Sequence, residues 1–153
     1  KNNFELVRGA YELIATLDES VSKEPVVTKG SYIDLFDPEL PVLSEKITKP
    51  GEQSYLYNIN SVEDKNKPQV LASASRIYDE AISAKSYSFV SKSPLDTNNS
   101  MRILLPQQPK SVLINNKPLD RSPNTNQEFD KDSKTLLLQF ENDPRGVQVS
   151  IKW

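Results

Sequence analysis

Thr135-Leu136-Leu137-Leu138-Gln139-Phe140 and Val147-Gln148-Val149-Ser150-Ile151-Lys152-Trp153 decide the fold. In the second stretch Val147, Val149, Ile151 and Trp153 alternate with Gln148, Ser150 and Lys152, a period of two that puts every apolar side chain on one face of a pleated strand. The first stretch repeats the pattern with Leu136, Leu138 and Phe140. Between them, Asn142-Asp143-Pro144-Arg145-Gly146 is turn chemistry, because proline presets φ and glycine is free to take φ > 0. The two runs therefore predict a terminal hairpin of half-buried strands, with Trp153 continuing the core face.

Upstream the same pattern recurs in short pieces. Ser111–Ile114 and Lys117–Leu119 flank Asn115-Asn116, a two-residue turn that needs φ > 0 at both central positions. Met101–Leu105 alternates, and Ser86–Lys92 carries Tyr87 and Phe89 on one face. At the other end, Phe4–Val7 and Tyr11–Leu17 surround Arg8-Gly9-Ala10 and predict a first hairpin, with Tyr11, Leu13, Ala15 and Leu17 on one face. Val26–Thr28 and Ser31–Asp37 predict a second strand pair, in which Tyr32, Asp34 and Phe36 share a face opposite Ile33 and Leu35. Asp37-Pro38-Glu39-Leu40-Pro41 cannot continue a central ladder and predicts a corner or edge. Val42–Thr48 and Ser54–Ile59 are strands around the turn Lys49-Pro50-Gly51-Glu52. Asp18–Pro25, Asn60–Lys67, Ser93–Ser100 and Arg121–Gln127 are polar loops.

Gln69–Ala84 is ambiguous. Val70, Leu71, Ala74, Ile77, Tyr78, Ala81 and Ile82 fit a helical stripe behind Pro68, whereas Leu71, Ser73, Ser75 and Ile77 alternate. Strands on both sides favour one strand, Gln69–Tyr78, followed by a loop; a short helix around 69–84 is the alternative. Ten to twelve short strands predict an all-β chain, an antiparallel two-sheet β-sandwich forming one domain over residues 1–153.

Composition agrees and narrows the chemistry. The chain has 153 residues, 11 of them Pro and only 4 Gly, which suits turn-separated strands better than a glycine-hinged enzyme. Its 19 Lys+Arg against 21 Asp+Glu leave a net charge of −2 without a long basic run, which argues against nucleic acid as a partner. No stretch approaches the ~20 apolar residues of a membrane-spanning helix. Without cysteine there are no disulfides, which fits the cytosol, the periplasm or a cell surface. The opening Lys1-Asn2-Asn3-Phe4 has neither an initiator Met nor a signal core, so the chain reads as a piece from the C-terminal part of a longer protein.

The absence of His and Cys removes the Ser-His-Asp triad, the thiol nucleophile and the usual zinc sites. Gly9, Gly30, Gly51 and Gly146 are isolated, so no phosphate-cradling loop can form and no nucleotide cofactor is expected. A carboxylate pair of the glycosidase kind is the one catalytic option; Asp34, Asp37 and Glu39 are the nearest cluster, with turn capping the favoured role for Asp37. Asn126, Glu128, Asp130 and Asp132 offer oxygens of the kind calcium takes, but without the spacing of a calcium loop, and a solvated hairpin entry is favoured. For a carbohydrate, the candidates are an aromatic platform at Tyr32, Asp34 and Phe36, or at Tyr55 and Tyr57; as core or edge-covering side chains, the same residues would simply pack on pleated sheet.

Pro109-Lys110-Ser111-Val112-Leu113-Ile114-Asn115-Asn116-Lys117-Pro118-Leu119, then Phe129-Asp130 and Thr135–Phe140, resemble the C-terminal β-sandwich modules appended to bacterial glycoside hydrolases and related polysaccharide-processing proteins. Asn116 stands where such modules often place Gly. Tyr32–Pro38 and Lys49–Glu52 are similar to parts of such modules in a less specific way. The resemblance, firmest over the last third, implies a non-catalytic accessory domain of a secreted or periplasmic carbohydrate-active protein, packed against a neighbouring domain. It carries over no functional residue. The alternative is a carbohydrate-binding module using the aromatic platform, with a polysaccharide as partner; no cofactor, metal or membrane insertion is expected.

Overall fold

The computed structural model describes residues 3–17 and 24–153. These form fourteen strands in three antiparallel sheets, with one short 3-10 turn over Ile59–Ser61. The chain divides into two compact units, Lys1–Glu63 and Asp64–Trp153. The all-β reading is correct, with more strands and one sheet more than the sequence predicts. Most of the loop expected over Asp18–Pro25 lies outside the described residues.

The first unit is one five-stranded sheet built from β1 (Asn3–Arg8), β2 (Tyr11–Thr16), β3 (Val26–Asp34), β4 (Val42–Thr48) and β5 (Gln53–Asn58), in the order β1-β2-β5-β3-β4. The β1–β2 hairpin forms as expected around Gly9, whose φ of +56° suits a residue without Cβ. The Lys49–Glu52 turn closes as predicted, Glu52 N–H donating to Lys49 C=O at 2.9 Å with Gly51 at φ +83°. Val26–Asp34, in contrast, is one continuous strand whose register to β4 slips between Lys29 and Tyr32, not a strand pair. Gly30 permits the slip, since a Cβ there would stand 2.8 Å from the Tyr32 ring.

The faces of β2 are the reverse of the expected ones. Glu12, Ile14 and Thr16 are buried and Tyr11 is exposed. The register explains this: Glu12 lies opposite Leu56 and Leu13 opposite Tyr55, so β2 must turn Ile14 inward to share a face with Leu56. Ile14, Tyr32 and Leu56 form the buried cluster of this unit.

The second unit is a β-sandwich. One sheet orders β11 (Lys117–Pro118), β10 (Ser111–Ile114), β14 (Val147–Lys152), β8 (Ser86–Lys92) and β7 (Arg76–Ser83); the other orders β12 (Asn126–Asp130), β13 (Thr135–Glu141), β9 (Asn98–Leu104) and β6 (Gln69–Ser73). The terminal hairpin is therefore not one. Leu136, Leu138 and Phe140 reach the core from one sheet while Val147, Val149, Ile151 and Trp153 reach it from the other, meeting Tyr87, Phe89, Met101 and Ile103. Residues 142–146 are an arch across the sandwich, closed by Gly146 N–H donating to Asp143 C=O at 3.0 Å and tied down by Asn142 Nδ2 donating to Thr97 at 3.0 Å. Alternation specifies which side chains face the core but is identical for a hairpin and an arch.

The same error of partner affects Gln69–Tyr78. The segment is strand, not helix, but it breaks at Ala74-Ser75 and changes sheet between β6 and β7. The corner is held by hydroxyls: Ser75 N–H donates to Ser73 Oγ at 3.1 Å, Ser91 Oγ donates to Ser75 Oγ at 2.6 Å, and Asn99 Nδ2 reaches the same oxygen at 2.9 Å. Among the described residues no helix is long and apolar enough to cross a membrane.

Candidate functional site

The first unit carries an aromatic hollow on the outer face of its sheet. Direct pairing places Leu6 beside Leu13, Arg8 beside Tyr11, Leu13 beside Tyr55 and Tyr11 beside Tyr57, so side chains of β1, β2 and β5 emerge together. Phe36 joins them by leaving the strand. Asp34 Oδ1 accepts from Phe36 N–H at 3.1 Å, an Asx turn that ends β3 and swings Phe36 onto the face of Tyr55. The resulting hollow of about 340 Å³ is lined by Leu6, Arg8, Tyr11, Leu13, Phe36 and Tyr55.

Its rings are ordered against one another. Tyr11 and Tyr55 stack with centroids 5.9 Å apart and planes 23° apart, Tyr57 meets Tyr11 edge-on at 5.4 Å, and Phe36 leans on Tyr55 at 5.7 Å. Phe36 is 57% exposed and Tyr11 43% exposed, so apolar ring surface faces water. Burial raises the Tyr57 phenol above its usual range, with Tyr11 adding to the shift.

The face beneath is different. Tyr32 is only 6% exposed and packs with Ile14 and Leu56, its hydroxyl bonded to Glu12. Burial first, then Glu12 and Glu5, raise its pKa. Asp34 is buried and bound by Lys46 Nζ at 3.1 Å. The expected Tyr32, Asp34, Phe36 face is thus split: two members lie inside and Phe36 outside. Tyr55 and Tyr57 do lie together. Tyr11, Arg8, Leu6 and Leu13 complete the hollow and were not foreseen, although the Arg8-Gly9-Ala10-Tyr11 turn places two of them on adjacent strands.

The other candidates have local duties. Asp37 Oδ1 accepts from Glu39 N–H at 2.9 Å, the turn-capping role expected of it. Asp130 Oδ2 accepts from Ser133 N–H at 3.2 Å and from its hydroxyl at 2.5 Å, holding the turn into β13. Among the described residues no group of three or more Asp or Glu side chains is placed to hold a metal ion.

Fold and site together define an all-β protein with an exposed aromatic sheet face. No family model matches the chain, and no curated protein or solved structure matches it either.

Proposed function

We propose that the chain is a non-catalytic accessory module that holds a carbohydrate chain against the aromatic hollow of its first unit. The half-buried Tyr55, stacked on the exposed Tyr11 and flanked by the exposed Phe36, carries this reading. The apolar C–H face of a pyranose packs on such rings, and the tyrosine hydroxyls and Arg8 can bond the sugar's rim. The hollow's volume falls at the lower end of the roughly 300–1,000 Å³ of small-ligand sites. The resemblance of the last third to modules of secreted or periplasmic bacterial glycoside hydrolases supports the accessory role and its location.

Titration with a panel of soluble polysaccharides tests it. Saturable binding is expected, reduced at least tenfold by Tyr55→Ala or Tyr11→Ala with unfolding unchanged; failure of every polymer to bind overturns the proposal. A second reading, packing against a neighbouring domain, is favoured by Phe4, Val27 and Ile47, which stand 54%, 47% and 47% exposed on the first unit. In the parent protein those positions would then be protected from solvent, and Val27→Ser would loosen the interface without touching sugar binding.

A further inference from the structure

We infer that the carbohydrate held in this hollow is acidic and that Arg8 reads its anionic group. This rests on the sugar-binding reading above and names the class of ligand within it. Of the six lining residues Arg8 is the one with a charge. Arg8 takes part in neither of the ion pairs Lys46–Asp34 and Arg145–Asp143, and no acidic residue is among those that line the hollow.

The nearest acids on the same strands are segregated to the other side of the sheet. Glu12 lies opposite Leu56 and is only 9% exposed, and Glu5 lies opposite Ile14 and acts on the buried Tyr32. Alternation makes this segregation strict: positions 5 and 12 cannot share a face with Arg8 and Tyr11 without a register slip. Among the described residues that line the hollow, Arg8 is therefore a cation with no anion beside it. A guanidinium offers a planar fork of donors that matches a carboxylate or a sulfate ester, and such charge-assisted bonds are about twice as strong as neutral ones. Arg8 stands directly across from Tyr11, so a sugar stacked on the Tyr11–Tyr55 pair brings a ring substituent within its range.

The test compares a polyuronate with the same polymer after its carboxyl groups have been reduced to primary alcohols, and with a sulfated neutral polymer. By calorimetry the polyuronate should bind about tenfold tighter than its reduced form, the factor expected of one charge-assisted bond at a partly exposed site. Arg8→Gln should abolish that preference, weakening the polyuronate about tenfold more than the reduced polymer, and Arg8→Lys should retain part of it. Equal binding of acidic and reduced polymers, or a preference that survives Arg8→Gln in a variant with unchanged unfolding, overturns the inference and leaves the aromatic site standing. Tight binding of the sulfated polymer that also depends on Arg8 supports an anion site and identifies sulfate as a source. Binding of no polymer at all overturns the site itself.

Discussion

The two units dispose of their paired aromatic rings in opposite ways. In the sandwich, Tyr87 and Phe89 sit wholly inside, with ring centroids 5.2 Å apart and aliphatic side chains of both sheets around them. In the first unit the rings of Tyr11, Tyr55 and Phe36 stay outside, while Glu12, Thr16, Thr48 and Ser54 are buried beside Ile14 and Leu56. Some of these inner polar groups are satisfied, as in the 2.8 Å bond between Thr48 and Ser54, but Glu12 Oε2 and Thr16 Oγ1 have no partner among the described residues. Apolar surface buried in a core stabilises the fold; the same surface left at water is available to a ligand. The first unit leaves Phe4, Leu6, Val7, Tyr11, Val27, Phe36 and Ile47 at water, the second only Tyr78, Ile82 and Leu95 among its described large apolar side chains.

The contrast can be broken most directly in the cores. Phe89→Ala should cost roughly 3–5 kcal/mol, because a fully buried ring leaves a cavity between two sheets that cannot collapse. Denaturant unfolding followed by the Trp153 fluorescence would show it, and a loss below about 1 kcal/mol would mean that the sandwich core is looser than described. Leu56→Ala should cost about 2 kcal/mol, the low end for such a truncation, because its surroundings are already partly polar. Native-state hydrogen exchange should agree, with amides of β2 and β5 opening before those of β9 and β13; the reverse order would contradict the comparison.

Alkaline pH sharpens it further. Tyr87 is buried and donates to Glu80, and both effects, burial foremost, push its ionisation well above that of an unfolded tyrosine. A raised folded pKa contributes stability that is complete below about pH 10, where unfolded tyrosine begins to lose its proton, and that declines as the pH climbs toward the folded value. Stability should therefore be flat up to about pH 10 and fall beyond it, with Tyr87→Phe flattening the fall more than Tyr57→Phe does; equal slopes would show that Tyr87 is not the more shielded group. Tyr55→Ala should change stability by no more than about 1 kcal/mol, since the ring is only partly buried, while reducing the proposed polysaccharide binding at least tenfold. The smallest effect is at the Asn115-Asn116 turn, where φ is +50° and +64°: Asn116→Gly should raise the unfolding free energy by a few tenths of a kcal/mol or leave it unchanged, and a clear loss would mean that the Asn116 side chain supports the turn.

Local chemistry was legible in the chain, as were the tight hairpins β1–β2 and β10–β11, but pairing across longer connections was not. Val42–Thr48, Ser86–Lys92 and Ser111–Ile114 are strands with the bounds their alternation predicts. Asn115-Asn116, Gly9 and Gly51 turn where φ > 0 was needed. These follow from forces within a few residues. Which sheet a strand joins depends on contacts far along the chain, so β13 and β14 read as a hairpin and β6 and β7 as one strand. The faces of β2 were misjudged because Tyr11 and Leu13 are as apolar as Ile14, and only the register with β5 separates them. The split of Tyr32 from Phe36 hinges on the Asp34 side chain ending the strand, a bond that turn propensity permits without dictating.

The arch over residues 142–146 has a bearing on how the protein comes into being. β14 occupies the middle of its sheet, between β10 and β8, and is the final strand of the chain. Until Val147–Lys152 has left the ribosome, the nascent polypeptide holds two half-sheets with open edges facing each other, and neither can be sealed by zipping up a neighbour. Closure of the sandwich must therefore wait for β14 to emerge. A chain truncated only a few residues early should accumulate as an open, aggregation-prone species rather than as a slightly weakened native one.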